Sequence, residues 1–219
     1  DGTATDTMPN ITTNVIINGN FDTSAGGVQT SFSACSLVVN NGFDLDITNG
    51  RYIEISNDIT ANGNITVFPQ GSVVQIDDLA TVTGSGTMTV QKETTLLNTQ
   101  YDYTYWSSPV VGETIENLFG LVPNYGKHYF EAANFVDVLD EIDNTNIFNS
   151  GQDDLDDDGN DWQPASGTMQ AGVGYAAMPS VGGPAFPVAQ QFAFVGPFNN
   201  GVVSQPLVNN SGGVYNDWN

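Results

Sequence analysis

The pattern of hydrophobic and polar positions changes character at one stretch, Tyr101–Pro109, with the sequence YDYTYWSSP. Tyr101, Tyr103 and Tyr105 alternate there with Asp102, Thr104 and Trp106. Strict alternation predicts a strand with the three tyrosines on one face. Pro109 cannot donate to a ladder, so the strand stops there or lies at an edge. The chain upstream of this stretch follows one rule and the chain downstream another.

Upstream the rule is a repeat. Gly19, Gly42, Gly63 and Gly84 are spaced 23, 21 and 21 apart, and Gly27, Gly50 and Gly71 repeat the 23 and 21. The two ladders keep a constant offset of eight residues. Aligning residues 42–62 over 63–83 pairs Ile47 with Phe68, Ile53 with Val74, Ile55 with Ile76 and Thr60 with Thr81. A period of about 21 residues is one coil of a three-sided β-solenoid, in which stacking makes the core continuous. Asn18-Gly19, Asn41-Gly42, Asn49-Gly50 and Asn62-Gly63 read as turns, because Asn and Gly accept positive φ cheaply. A meander of hairpins would also use Asn-Gly turns; the constant offset favours the solenoid. Gly84–Val90 starts a fourth coil that is not completed, and the pattern ends at Gln91-Lys92-Glu93.

Downstream the period is lost. Glu113–Phe119 reads as a short helical turn closed by Gly120. Strands are expected at His128–Phe130, Phe135–Leu139, Gly174–Met178, Gln190–Val195, Val202–Gln205 and Val214–Trp218, separated by Pro- and Gly-rich turns. The expected fold is therefore all-β: a short right-handed β-solenoid of about three to four coils over residues 1–98, then a β-sandwich or jelly-roll-like domain over 99–219.

Charge narrows the partners. The 219 residues hold 25 Asp and Glu against three Lys and Arg, a net charge of −22. Such a surface repels phosphate backbones and anionic membranes, which excludes nucleic-acid binding. No apolar run reaches the roughly 20 residues of a membrane helix, so no membrane insertion is expected. Cys35 is the sole cysteine, so no intramolecular disulfide can form. Low Lys and Arg with abundant Asn, Thr, Gly and Val reads as an extracellular protein. The chain starts at Asp1 without Met, as a mature or excised segment would.

Two clusters carry candidate chemistry. Asp153–Asp161 holds six aspartates in nine residues, and Asp154, Asp156 and Asp158 before Gly159 have the spacing of a calcium loop. An EF-hand needs Glu at the twelfth position, where Ala165 stands. A simpler site closed by Asn160 or Asp161 is one reading, and a hydrated acidic loop is the other. Tyr101, Tyr103 and Tyr105, with Trp106 or Trp162, could form a platform for a sugar ring; the favoured reading is that these aromatics serve the core, the tyrosines as the inner face of the first strand of the second domain. His128 is the only histidine, and no nucleophile elbow or phosphate loop accompanies it, so no enzyme is expected. The acidic residues of the coils, Asp44, Asp46, Glu54, Asp58, Asp77 and Asp78, read as a solvated face.

GSGTMTVQKE, YDYTYWSSPV, the Asp-rich loop, MQAGVGYAAMPS, FVGPFNNGVVSQPL and the final YNDWN resemble the surface proteins secreted by the type IX system of Bacteroidota, including gliding adhesins. The resemblance covers about residues 36–219. It implies export by the type IX translocon with its outer-membrane shuttle protein, then a place at the cell surface or release. It implies a structural or adhesive role, with polysaccharide or neighbouring surface proteins as partners, and transfers no catalytic residue. Relatives continue past the final Trp, so this chain is expected to be a fragment of something longer. Asp6-Thr7-Met8 also fits a short O-glycosylation pattern of that phylum. A calcium-dependent carbohydrate-binding module, or an accessory domain of a polysaccharide-acting enzyme, is the alternative function.

Overall fold

The computed structural model describes residues 8–24, 31–135 and 160–207. Asp6 and Thr7, Gly27, most of the expected strand Phe135–Leu139 and all of Val214–Trp218 lie outside these residues, as do Asp154, Asp156 and Asp158.

Among the described residues, eleven strands wind the first half: β1 (Asn14–Ile17), β2 (Phe21–Asp22), β3 (Phe32–Ala34), β4 (Ser36–Val39), β5 (Asp44–Ile47), β6 (Tyr52–Ile55), β7 (Ile59–Ala61), β8 (Asn64–Val67), β9 (Ser72–Gln75), β10 (Val82–Thr83) and β11 (Met88–Glu93). They pair in parallel, each with the strand one coil away. One sheet runs β1-β4-β7-β10, a second contains β2, β5, β8 and β11, and a third runs β3-β6-β9. Three coils are complete, and the fourth lacks its third side. This is a β-solenoid, as the glycine ladders predict.

Alternation within each strand decides what faces inward. Leu37 and Val39, Leu45 and Ile47, Ile53 and Ile55, and Ile59 with Ala61 are fully buried, with polar or half-exposed residues between them. Outward-facing polar side chains form ladders between coils. Asn14 accepts from Ser36, Asp44 accepts from Asn64, and Asp58 accepts from both the amide and hydroxyl of Thr81.

The register departs from the uniform repeat of 21. Ile47 faces Val67 rather than Phe68, and Ile53 faces Val73 rather than Val74. Ile55 faces Gln75 and Thr60 faces Thr83, so both of those expected pairs are also shifted. The cause is unequal corners. The β7–β8 corner spans only 62–63 where β4–β5 spans 40–43, which pulls β8 and β9 back in register. The β9–β10 corner loops out over 76–81 where β6 reaches β7 over 56–58, which pushes β10 forward. A one-residue slip exchanges the faces of a strand; accordingly Ile76 and Val74 are exposed, and Val73 packs on the core.

The ladder glycines serve two purposes rather than one. Gly42 has φ +85° with open space around it, which is the expected turn role. Gly63 does not have positive φ; a Cβ there would overlap the carbonyl oxygens of Phe43 and Asn40 in the coil beneath. It is a close-approach residue.

The second half forms β12 (Thr104–Trp106), the helical turn α1 (Ile115–Leu118), a 3-10 turn at Asn124–Gly126, β13 (Lys127–Phe130), β14 (Trp162–Pro164), β15 (Tyr175–Ala177) and β16 (Gln191–Val195). Thr114 caps α1 by accepting from the Asn117 amide. β12, β15, β13 and β14 make one antiparallel sheet in that order, the head. The tyrosine strand starts later than its alternation suggests. The Asp102 carboxylate accepts from the amides of Asn98 and Thr99, and this local cap holds Tyr101 in a turn. Val202–Gln205 is not a strand; it is held irregularly, with the Gln205 amide donating to Ala171 O.

β16 does not join the head sheet. It returns to the solenoid and pairs antiparallel with β11, register Thr89–Val195 through Glu93–Gln191. Phe192 and Phe194 on its buried face meet Trp106 with ring centroids 5.0 and 6.0 Å apart, and Phe192 also meets Phe119 at 5.4 Å. A single hydrophobic cluster consequently runs from Phe32 in the first coil to Phe198 beyond β16. The described residues of the head supply one sheet over this shared core, and a facing second sheet of a sandwich is not among them.

Glu113 fastens the junction. It is only 2% exposed. Its carboxylate accepts from the Thr114 amide at 2.8 Å, the Asn117 side-chain amide at 2.8 Å and the Val195 amide at 2.7 Å. The last of these occupies a donor on the free edge of β16, so the carboxylate blocks further pairing there.

Candidate functional site

The outer face of the head sheet carries the candidate site. Pairing places Tyr105 beside Ala176, and Ala176 beside His128, on one side of the sheet. Trp162 pairs with Phe130 on that same side. Trp106, Tyr175 and Tyr129 fall on the opposite side, toward the core. The alternation that puts tyrosines on one face therefore sends them outward, against the expectation that they serve the core; Trp106 takes the inner side instead. Tyr105 is 69% exposed and Tyr101 63%, while Trp106 is 8% exposed.

Tyr103, Tyr105, His128 and Trp162 surround the small side chain of Ala176 in a groove of ≈ 270 Å³. β12 and β14 are separated by two strands, about 14 Å at the usual strand spacing. The Tyr105 and Trp162 rings nevertheless have centroids 6.2 Å apart, tilted by 43°. Both rings must therefore lean inward over the intervening strands. Tyr103 leans likewise toward His128, at 6.0 Å and 56°. Phe130 props Trp162 from behind in an edge-on contact at 5.4 Å. Ala176, buried beneath the rings, is the floor. Burial, then the neighbouring hydroxyls of Tyr105 and Tyr125, push the Tyr103 phenol above its ordinary pKa. No Lys or Arg lines the groove.

Of the four aromatic candidates, the structure brings Tyr103 and Tyr105 together, leaves Tyr101 in the preceding turn and removes Trp106 to the core. Trp106 cannot join a platform with Tyr105, because successive strand residues face opposite sides. The tyrosine alternation does not point to His128 or Ala176, and it makes Trp162 only an optional member. Their membership depends on the strand order β12-β15-β13-β14, which no local pattern specifies.

Of the metal candidates, Asn160 and Asp161 lie among the described residues. The Asn160 carbonyl accepts from the side-chain amides of Asn134 and Gln163, and the Asp161 carbonyl accepts from the Glu131 amide. Two amides occupy both lone pairs of the Asn160 carbonyl. Among the described residues no group of His, Cys, Asp or Glu is placed to hold a metal. On the solenoid, Asp44, Asp46, Asn64, Thr66, Thr87 and Thr89 line a shallow polar concavity. Burial first, then Asp22 and Asp44, push the Asp46 carboxyl above its ordinary range.

The fold defines a class: an all-β protein in which a short β-solenoid is closed by an antiparallel strand from its own head. Over residues 4–218 the chain matches the model of a family described as Domain of unknown function (DUF8693), and it belongs to that family. No curated protein and no solved structure matches it. Among the described residues no helix is long and apolar enough to cross a membrane.

Proposed function

We propose that this chain is a non-enzymatic, structural and adhesive segment of a secreted bacterial surface protein, exported by the type IX system. The observation that carries the reading is the continuous core from the first coil to Phe198. A solenoid fused in this way to its head acts as a stiff spacer, and it holds the head's outer aromatic face at a fixed distance from whatever precedes it. The net charge of −22 keeps such a surface soluble and off anionic membranes. The residues around the groove are rings and an alanine rather than a nucleophile with its base. Antibody labelling of intact source cells, together with attachment of a gene-deleted strain to solid surfaces, tests the reading. Unlabelled intact cells, or unchanged attachment, would sink it.

Calcium belongs to the same proposal, supported by the sequence spacing of Asp154, Asp156 and Asp158. Calorimetric titration of calcium into chelated protein checks it. No heat at about millimolar calcium, a weak extracellular affinity, removes it.

A further inference from the structure

We infer that the groove between Tyr103, Tyr105 and Trp162 is a binding site for an uncharged polysaccharide. The inference rests on the adhesive reading and names the chemistry that the head holds. Three features select the ligand. The walls are aromatic and the floor is a methyl group, which suits the CH face of a sugar ring. Tyr103, Tyr105 and His128, which line the same groove, carry hydrogen-bonding groups that suit the ring's own hydroxyls. The charge of −22, with three Lys and Arg in the whole chain, disfavours acidic glycans.

The open shape argues against the main competitor, an organic cation. Cation–π attraction is weak at exposed sites and strong only where the cation is desolvated. Tyr105 and Trp162 are both exposed, so the groove is a trough and not a closed cage. A trough accepts a chain from the side, with the sugar face away from the rings still in water.

The experiment is affinity electrophoresis of the described chain through gels containing a β-glucan, a mannan, a galactan or a dextran, with alginate as the acidic control. Retardation by at least one uncharged polymer and none by alginate is expected. Tyr105→Ala and Trp162→Ala should each weaken binding by about tenfold, as loss of an aromatic anchor does. Tyr101→Ala, outside the groove, should leave binding unchanged. Tyr105 is 69% exposed and its variant should melt close to wild type, whereas Trp162→Ala also loses its edge-on contact with Phe130; if that variant misfolds, the wild-type tryptophan emission on titration with the retarding polymer reads the same site. No retardation by any uncharged polymer overturns the inference. So does binding that survives both substitutions, or emission that responds to tetramethylammonium and to no glycan. A blank gel with impaired attachment of the gene-deleted strain removes this inference alone; normal attachment with a retarded chain removes the adhesive reading alone.

Discussion

Glu113 offers the sharpest test of how the head is joined to the solenoid. Replacing it by Ala removes three hydrogen bonds accepted by a buried carboxylate. The Val195 and Thr114 amides and the Asn117 side chain then lose their partner. Hydrogen bonds to a charged group contribute about 1.5–3 kcal/mol each, and water recovers part of that for groups near the surface. Asn117 is exposed and will rehydrate. A net loss of about 3 kcal/mol follows, close to one and a half such bonds. For a chain of this size that lowers the melting temperature by about 6–12 °C. Glu113→Gln is the more discriminating change. Its carboxamide has one oxygen, so its NH2 group must face either the Val195 amide or the Thr114 and Asn117 donors. Either choice sets donor against donor, and a loss of about 1.5–2 kcal/mol is expected although size and shape are kept. Thermal melting followed by far-ultraviolet circular dichroism measures both variants, and hydrogen exchange at Val195 localises the effect. If Glu113→Gln melts within about one degree of wild type, well under the shift expected for 1 kcal/mol, and Val195 exchange is unchanged, the carboxylate does not hold β16.

Other expectations follow from the coils and their charges. Gly63→Ala should destabilise by more than about 2 kcal/mol, because its Cβ meets backbone rather than a movable side chain; Gly19→Ala, with nothing nearby and no positive φ, should be neutral or stabilise by about 0.4–1 kcal/mol. Urea midpoints would separate the two. The Asp102 carboxyl is held below its ordinary range by the Asn98 amide and then by Thr99, and that of Glu116 chiefly by the Gly167 amide. Their stabilisation is present above the unfolded carboxylate pKa and disappears as pH falls through the lowered folded value. Asp102→Asn should therefore lower the urea midpoint at neutral pH, with the effect shrinking as pH falls through the lowered folded value. Asp46 has the opposite sign: its raised pKa makes the ionised form a cost at neutral pH that is relieved as pH falls through the raised value. Asp46→Asn should accordingly raise the neutral midpoint and leave the acid one unchanged. Added salt should raise the melting temperature, since a Debye length of about 8 Å at physiological strength screens the excess negative charge.

Much of the solenoid is legible in the sequence because its contacts are near neighbours in the repeat. Glycine ladders report the corners, and period-two burial reports the sides. What escapes is the unequal corner length, since an average of 21 conceals individual registers such as Asp44 with Asn64 and Thr60 with Thr83. The tyrosine alternation correctly groups Tyr103 with Tyr105, but alternation alone does not say which face is wet. Phe192 and Phe194 answer that by occupying the inner side against Trp106. The joining of β16 to β11 leaves no local trace, because residues such as Thr94 and Gln190 meet across 96 positions. Trp162 and His128 reach the groove by the same kind of non-local order.

The antiparallel clamp of β16 on β11 also dictates an order of folding. Each coil closes on the one before it through a short loop, so the solenoid can grow as the chain is made, one layer at a time. The edge of β11 stays open until the whole head has been synthesised and β16 arrives. For that interval Met88, Val90 and the unpaired backbone of β11 lack the cover they have in the finished protein. A chain cut short before Gln191 would keep its coils but expose a sticky edge. β16 is thus a seal, and its late arrival leaves incomplete chains with an edge open to self-association.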